Sequence, residues 1–179
     1  MKGLSDRHWQ MEFEVFGGTA MPLGNFASSH NPAWHLSGSY GTKFSPFLSF
    51  LGAIEYCRFT TKNPVQLSPL EGRLRLVTGE LLLKWRFVNA PIRPFAVGGA
   101  GFASVVSSFA PDPAAWYSYD QESEFDLLTL FGGGVEWAAN QKTHFFAQVR
   151  YGHIRTGTKI GAGGAINFMP ASVGVNFYM

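Results

Sequence analysis

THFFAQVRYGHIRTGTKIGAGGAINFMPASVGVNFYM, residues 143–179, decides the fold. Its first part sets Phe145, Ala147, Val149 and Tyr151 on one face and His144, Phe146, Gln148 and Arg150 on the other. That period of two is the mark of a β-strand. A glycine-rich connection follows, and then Val173, Val175, Phe177 and Met179 alternate with Ser172, Gly174, Asn176 and Tyr178. A chain that runs to its last residue inside a strand is expected to close a barrel, the last strand pairing with the first so that no edge is left open.

Working outward, the same alternation recurs. Segment one, Trp9 to Gly18, carries Trp9, Met11, Phe13 and Val15 on one face, and AMPLGNFASSHNPA after it reads as a long loop because of its prolines, glycine and asparagines. Segment two is Trp34 to Phe44, and a short turn leads to segment three, Leu48 to Thr60. Another long loop, TKNPVQLSPLEG, precedes segment four, Arg73 to Phe87, where Leu81, Leu83, Trp85 and Phe87 oppose Glu80, Leu82, Lys84 and Arg86. Arg73 and Arg75 share the parity of the apolar set, which predicts a bulge or a strand start near Gly79. Segment five, Arg93 to Ser107, follows a short turn, and SSFAPDPAAWYSYDQES is the longest loop. Segment six, Glu124 to Ala138, leads through a short turn to the pair first quoted.

The tally is eight segments of roughly the ten residues that a tilted membrane strand needs. Their connections alternate long and short, so in an up-and-down barrel the long loops share one rim and the short turns the other. Residues 1–179 are expected to form a single domain, an all-β, eight-stranded antiparallel up-and-down transmembrane β-barrel, with 1–8 as a polar N-terminal tail.

Composition agrees: 15% of residues are charged and 16% aromatic, against ~25% charged in a typical soluble domain. No stretch approaches the ~18 apolar residues of a membrane helix, so only a closed barrel could cross lipid. A net charge of +2, with scattered basic residues, argues against nucleic acid as a partner. The single cysteine, Cys57, excludes an internal disulfide, and His8, His30, His35, His144 and His153 lack metal-ligand spacing. No cofactor is expected either, because the glycines of 98–101 and 161–164 do not lead into a helix as phosphate loops do. The start, MKGLSDRHW, lacks the apolar core of a secretory signal, which is compatible with a signal already removed.

Alternation alone leaves two barrels open, a soluble lipocalin-like carrier with an apolar interior and a membrane barrel with a polar one. The polar faces decide. They carry few charges, in both signs, set among Gly, Ser and Gln: Glu12, Glu14, Glu55, Glu80 and Glu136 against Lys84, Arg86 and Arg150. Such charges are expected to form an interior ion network filling a narrow lumen. The apolar faces carry Trp9, Trp34, Trp85, Trp137 and Tyr151 near segment ends, where an aromatic girdle would meet the membrane interfaces. In the longest loop Trp116, Tyr117 and Tyr119, beside Asp112 and Asp120, are the candidates for recognition of an extracellular surface partner.

Through FEVFGGTAMPLGNF, LGAIEYCRF, GELLLKWRF, APIRPFAVGGAGFA, FGGGVEWAANQKTHFFAQVRY and ASVGVNFYM, the chain resembles the eight-stranded outer-membrane β-barrels, the OmpA-like transmembrane domains and opacity-type porin-family proteins. The resemblance implies a Gram-negative-type outer membrane, contact with its lipid and lipopolysaccharide, and a lumen too occupied for bulk conduction. It further implies a non-enzymatic role in envelope structure or surface contact, with a small-solute pore as an alternative. Met179 stands where the family usually has Phe. A second resemblance attaches to QVRYGHIRTG, which is similar to the penultimate strand of outer-membrane lipid A 3-O-deacylases. That family implies a catalytic His, Ser and Glu; His153 matches the His, but Arg155 stands at the Ser position and Asn167 where the Glu would lie. Arg155 can neither attack an ester nor be activated to do so, which argues against a lipid A-modifying enzyme.

Overall fold

Strand alternation closes on itself in the computed structural model, which describes residues 9–62, 73–108, 121–156 and 165–179. Eight strands form one closed barrel in sequence order: β1 (Gln10–Leu23), β2 (Ala33–Lys43), β3 (Leu48–Thr60), β4 (Arg73–Arg86), β5 (Ile92–Ser108), β6 (Gln121–Ala138), β7 (Thr143–Arg155) and β8 (Ile166–Tyr178). Every neighbouring pair is antiparallel, and β8 closes on β1, with Phe13 opposite Phe177 and Val15 opposite Val175. Met11 and Met179 exchange both backbone hydrogen bonds, at 3.1 and 3.0 Å. The last strand therefore pairs with the first, and the ladder has no free edge.

Two expectations change. The stretch after Gly18 is not a loop: β1 continues to Leu23, with Ala20 and Pro22 buried and Met21 exposed, so the alternation runs on. Pro22 lacks a donor but is paired across the ladder with Phe168, and this suggested a break where the structure has none. The connection to β2 then folds a short helix, α1 (Asn25–Ser29), entered through Gly24 at φ 58°, a left-handed conformation that glycine adopts without strain. The bulge expected near Gly79 is also absent, since β4 alternates exposed and buried from Arg73 to Arg86 without interruption. Arg73 and Arg75 simply continue the outward face beyond its apolar part.

The inner face has two layers. Towards the short turns it is ionic. Towards the long connections it is apolar, with Phe59, Leu76, Leu128, Ile154 and Ile166 fully buried. Phe26 of α1 enters this upper layer, edge-on to Phe59 with ring centroids 5.0 Å apart, and Phe59 meets Phe168 at 6.4 Å. α1 thus stoppers an apolar layer that sits above the charged one. The outer face is apolar around the barrel, with Ile54 67%, Leu81 60%, Phe131 64% and Val173 68% exposed.

Candidate functional site

Even positions of β1, β4, β6, β7 and β8, and odd positions of β2 and β3, point inward, and β4 alone delivers Thr78, Glu80, Lys84 and Arg86 to the lumen. Glu12, Glu14, Glu55, Glu80, Lys84, Arg86, Glu136 and Arg150 are all buried there. They form two clusters.

Near the short turns, Lys84 Nζ lies 2.6 Å from Glu14, 3.0 Å from Glu136 and 3.6 Å from Glu12. Arg86 donates to Glu12, to Glu136 at 3.2 Å, to Ser49 Oγ at 2.7 Å and to the Tyr178 hydroxyl at 2.7 Å. Ser49 donates to Glu12, as does Asn176 at 2.5 Å. The Tyr178 hydroxyl donates to Glu136 at 3.1 Å, and His144 Nδ1 is 2.6 Å from the same carboxylate. This layer draws on β1, β3, β4, β6, β7 and β8, so it ties the wall together across its full width. Below it opens a vestibule of about 610 Å³ lined by Lys43, Arg93, Asn140, His144 and Tyr178.

At mid-height Arg150 donates to Glu80 at 3.1 Å and to Glu55. Thr78 donates to Glu80 at 2.6 Å, and Cys57 Sγ donates to Glu55 at 3.3 Å. His35 Nδ1 stands 3.7 Å from Glu55. Phe16, Phe95 and Phe146 lie between the clusters; Lys84 Nζ sits 4.4 Å from the Phe95 centroid, and the Arg150 guanidinium 5.1 Å from that of Phe16. Each buried charge thus has an opposite charge, a donor or a ring face against it, the condition for keeping it in a low-dielectric interior.

Reasoning from charge alone missed Ser49, Thr78, His144, Asn176, Tyr178 and the stopper Phe26. The first five lie at inward positions, so strand register is the signal that finds them. Phe26 sits among turn formers, and nothing local announces that it folds back into the barrel.

Trp9, Trp34, Trp85 and Trp137 project outward and are more than half exposed, while Tyr151 is half-buried. Trp9 meets Phe44 edge-on at 5.0 Å and Trp137 tilts against Phe145 at 6.0 Å at the short-turn rim; Trp34 tilts against Tyr56 at 5.3 Å towards the other rim. Trp116, Tyr117 and Tyr119 lie outside the described residues. So do residues 1–8. On the outer face His153 Nδ1 and the Tyr151 hydroxyl both bond Asn167 Oδ1, at 2.7 and 2.9 Å. An amide can orient an imidazole. Among the described residues, however, no hydroxyl bonds that ring, and Arg155 beside it is exposed. Nor do three His, Cys, Asp or Glu side chains converge as a metal-ligand set among the described residues.

This architecture matches solved outer-membrane barrels. The crystal structure of neisserial surface protein A, NspA, superposes with a TM-score of 0.65 at 13% identity, over 94% of this chain and 96% of that one. Ail, the attachment invasion locus protein of Yersinia pestis, solved with the heparin analogue sucrose octasulfate, gives 0.63 at 12% identity over 96% and 99%. The N-terminal β-barrel domain of Pseudomonas aeruginosa OprF gives 0.58 at 17% identity over 95% and 97%. No protein-family model and no curated protein matches the chain. The protein has the fold of the eight-stranded outer-membrane β-barrels.

Proposed function

We propose that the chain is a non-enzymatic outer-membrane β-barrel of a Gram-negative-type bacterium, with a structural or surface-contact role and a sealed interior. One observation carries this reading: the wall is apolar on the outside all the way round and filled with paired charge on the inside, the reverse of a soluble carrier. A barrel so built is stable where hydrocarbon replaces water against Ile54, Leu81 and Val173. Trp9, Trp85 and Trp137 then form the aromatic girdle at one interface and Trp34 with Tyr151 contributes towards the other. Outer-membrane lipid and lipopolysaccharide are the partners of that wall.

Surface contact falls to the long connections, which share one rim. Ail, with the same fold, was solved holding a heparin analogue. Trp116, Tyr117 and Tyr119 are the aromatic anchors proposed for such contact.

The test is refolding from urea into detergent micelles and into phosphatidylcholine vesicles, followed by the shift in electrophoretic mobility between heated and unheated samples. Insertion with a heat-modifiable band is the expected result, and a monodisperse chain in water without detergent would overturn the membrane reading. Incubation of the inserted barrel with lipid A, read by mass spectrometry, should show no acyl loss; acyl loss dependent on His153 would make it an enzyme.

A further inference from the structure

Charge is sorted across the barrel wall. Glu12, Glu14, Glu55, Glu80, Glu124, Asp126 and Glu136 all lie at inward-facing positions, Glu124 and Asp126 opposite the fully buried Val105 and Ala103. Among the described strand residues the outward-facing formal charges are Arg58, Arg73, Arg75 and Arg155, every one at the long-connection end. Arg58 of β3 is the direct cross-strand partner of Arg75 of β4, and Arg73 pairs one step further on with Thr60. Cross-strand partners have Cβ atoms about 5 Å apart, and like charges placed so repel each other. Among the described residues none of these three arginines has a carboxylate within ion-pair distance.

The surroundings say what relieves that repulsion. Down the same outer face from Arg58 come Tyr56 and then Ile54, and Trp34, which pairs with Arg58 in the ladder, tilts against Tyr56. Arg75 is followed likewise by Val77 and, past Gly79, by Leu81. Cation, aromatic ring and aliphatic chain thus succeed one another on β3, and cation and aliphatic chain on the adjacent β4. The headgroup, interface and acyl region of a lipid leaflet follow in the same order. A guanidinium binds a phosphate with two parallel N–H donors, and two of them on neighbouring strands clamp one phosphate between them.

We propose that Arg58, Arg75 and Arg73 form a site on the outer wall for a phosphate carried on an amphiphilic headgroup of the surrounding leaflet. The site rests on the membrane reading above, since it needs the apolar wall below it to be immersed. It also gives the outer rim a lipid preference that the short-turn rim lacks.

The test uses the full chain in phosphatidylcholine nanodiscs containing either diphosphorylated lipid A or its dephosphorylated counterpart, with lipid retention read by native mass spectrometry. Wild type should retain the phosphorylated lipid preferentially. Arg58→Gln with Arg75→Gln should lower that retention roughly 10–30-fold, at about a three- to fivefold factor per cation near a charged surface, and leave the dephosphorylated lipid unchanged. Arg58→Lys with Arg75→Lys, which keeps charge but loses the fork, should fall between. Lys142→Gln at the opposite rim should match wild type. Unchanged retention in the Gln pair, or an equal loss with Lys142→Gln, overturns the site, as does displacement of the lipid by an equal concentration of inorganic phosphate. Failure of wild type to insert would overturn the membrane reading and the site with it, whereas insertion without phosphate preference would remove the site alone.

Discussion

Arg86 has no exposed surface and reaches Glu12, Glu136, Ser49 and Tyr178 at once, so its loss cannot be absorbed by one neighbour. Arg86→Met leaves Glu12 and Glu136 buried with Lys84 as their nearest remaining cation. The expected cost is ~3–5 kcal/mol, seen as a lower urea midpoint for loss of the heat-modifiable band. Adding Glu12→Gln should recover part of it, because the stranded charge is then gone; a double variant no better than the single would show that packing, not charge, holds the layer. His30, at the end of α1, titrates below its ordinary 6.5 because burial disfavours the charged ring, against a smaller opposing effect of the Phe26 backbone. The folded state then prefers the neutral form. Its contribution is complete above pH 6.5 and is lost as pH falls below that value and through the depressed one. Amide exchange of His30, which donates to the Phe26 carbonyl at 3.1 Å, should therefore speed up in that window beyond its intrinsic pH dependence. A His30→Gln variant should lose the effect.

At the scale of the element, alternation made most strands legible: β3 begins and ends where its pattern does, β4 stops one residue short of its pattern, and β5 extends one residue beyond its own at each end. The misreadings share one physical cause. Local signals were weighed where closure decides: Pro22 promises a turn, yet its neighbours on β8 hold it in the ladder, and Arg73 and Arg75 argue for a break only if the outward face must be apolar throughout. The eight network residues could be found because charge on an inward face must be paired, whereas Phe26 could not, since a loop residue has no parity to betray its side. Strand approach makes its own demand at Gly132 of β6, where an added Cβ would stand 2.3 Å from the Val149 carbonyl oxygen and 2.6 Å from Arg150 Cα. Gly132→Val should force β6 from β7 and abolish the heat-modifiable band under conditions where wild type refolds. A folded variant would mean that the wall yields more than its backbone contacts suggest.

For the whole molecule, two plugs of opposite chemistry lie in series. Phe26 and its neighbours pack the upper lumen with apolar side chains, and the Arg86 layer fills the lower one with ions that already have partners. A planar bilayer recording should show no steady conductance for wild type. Phe26→Ala should stay closed as well, because the ionic layer is untouched; sustained current through it would place the gate in α1 alone. The closure of β1 on β8 also sets a timetable for assembly. Glu12 and Asn176, bonded in the finished barrel, are 164 residues apart along the chain. β1 can pair with β2 early and Glu12 can meet Arg86 once β4 exists, but the second edge of β1 stays unpaired until β8 has been made. A growing chain would thus carry an apolar sheet with an open edge until its eighth strand appears. The molecule is built to be escorted unfolded and to lock in one late step, rather than to fold from its leading end.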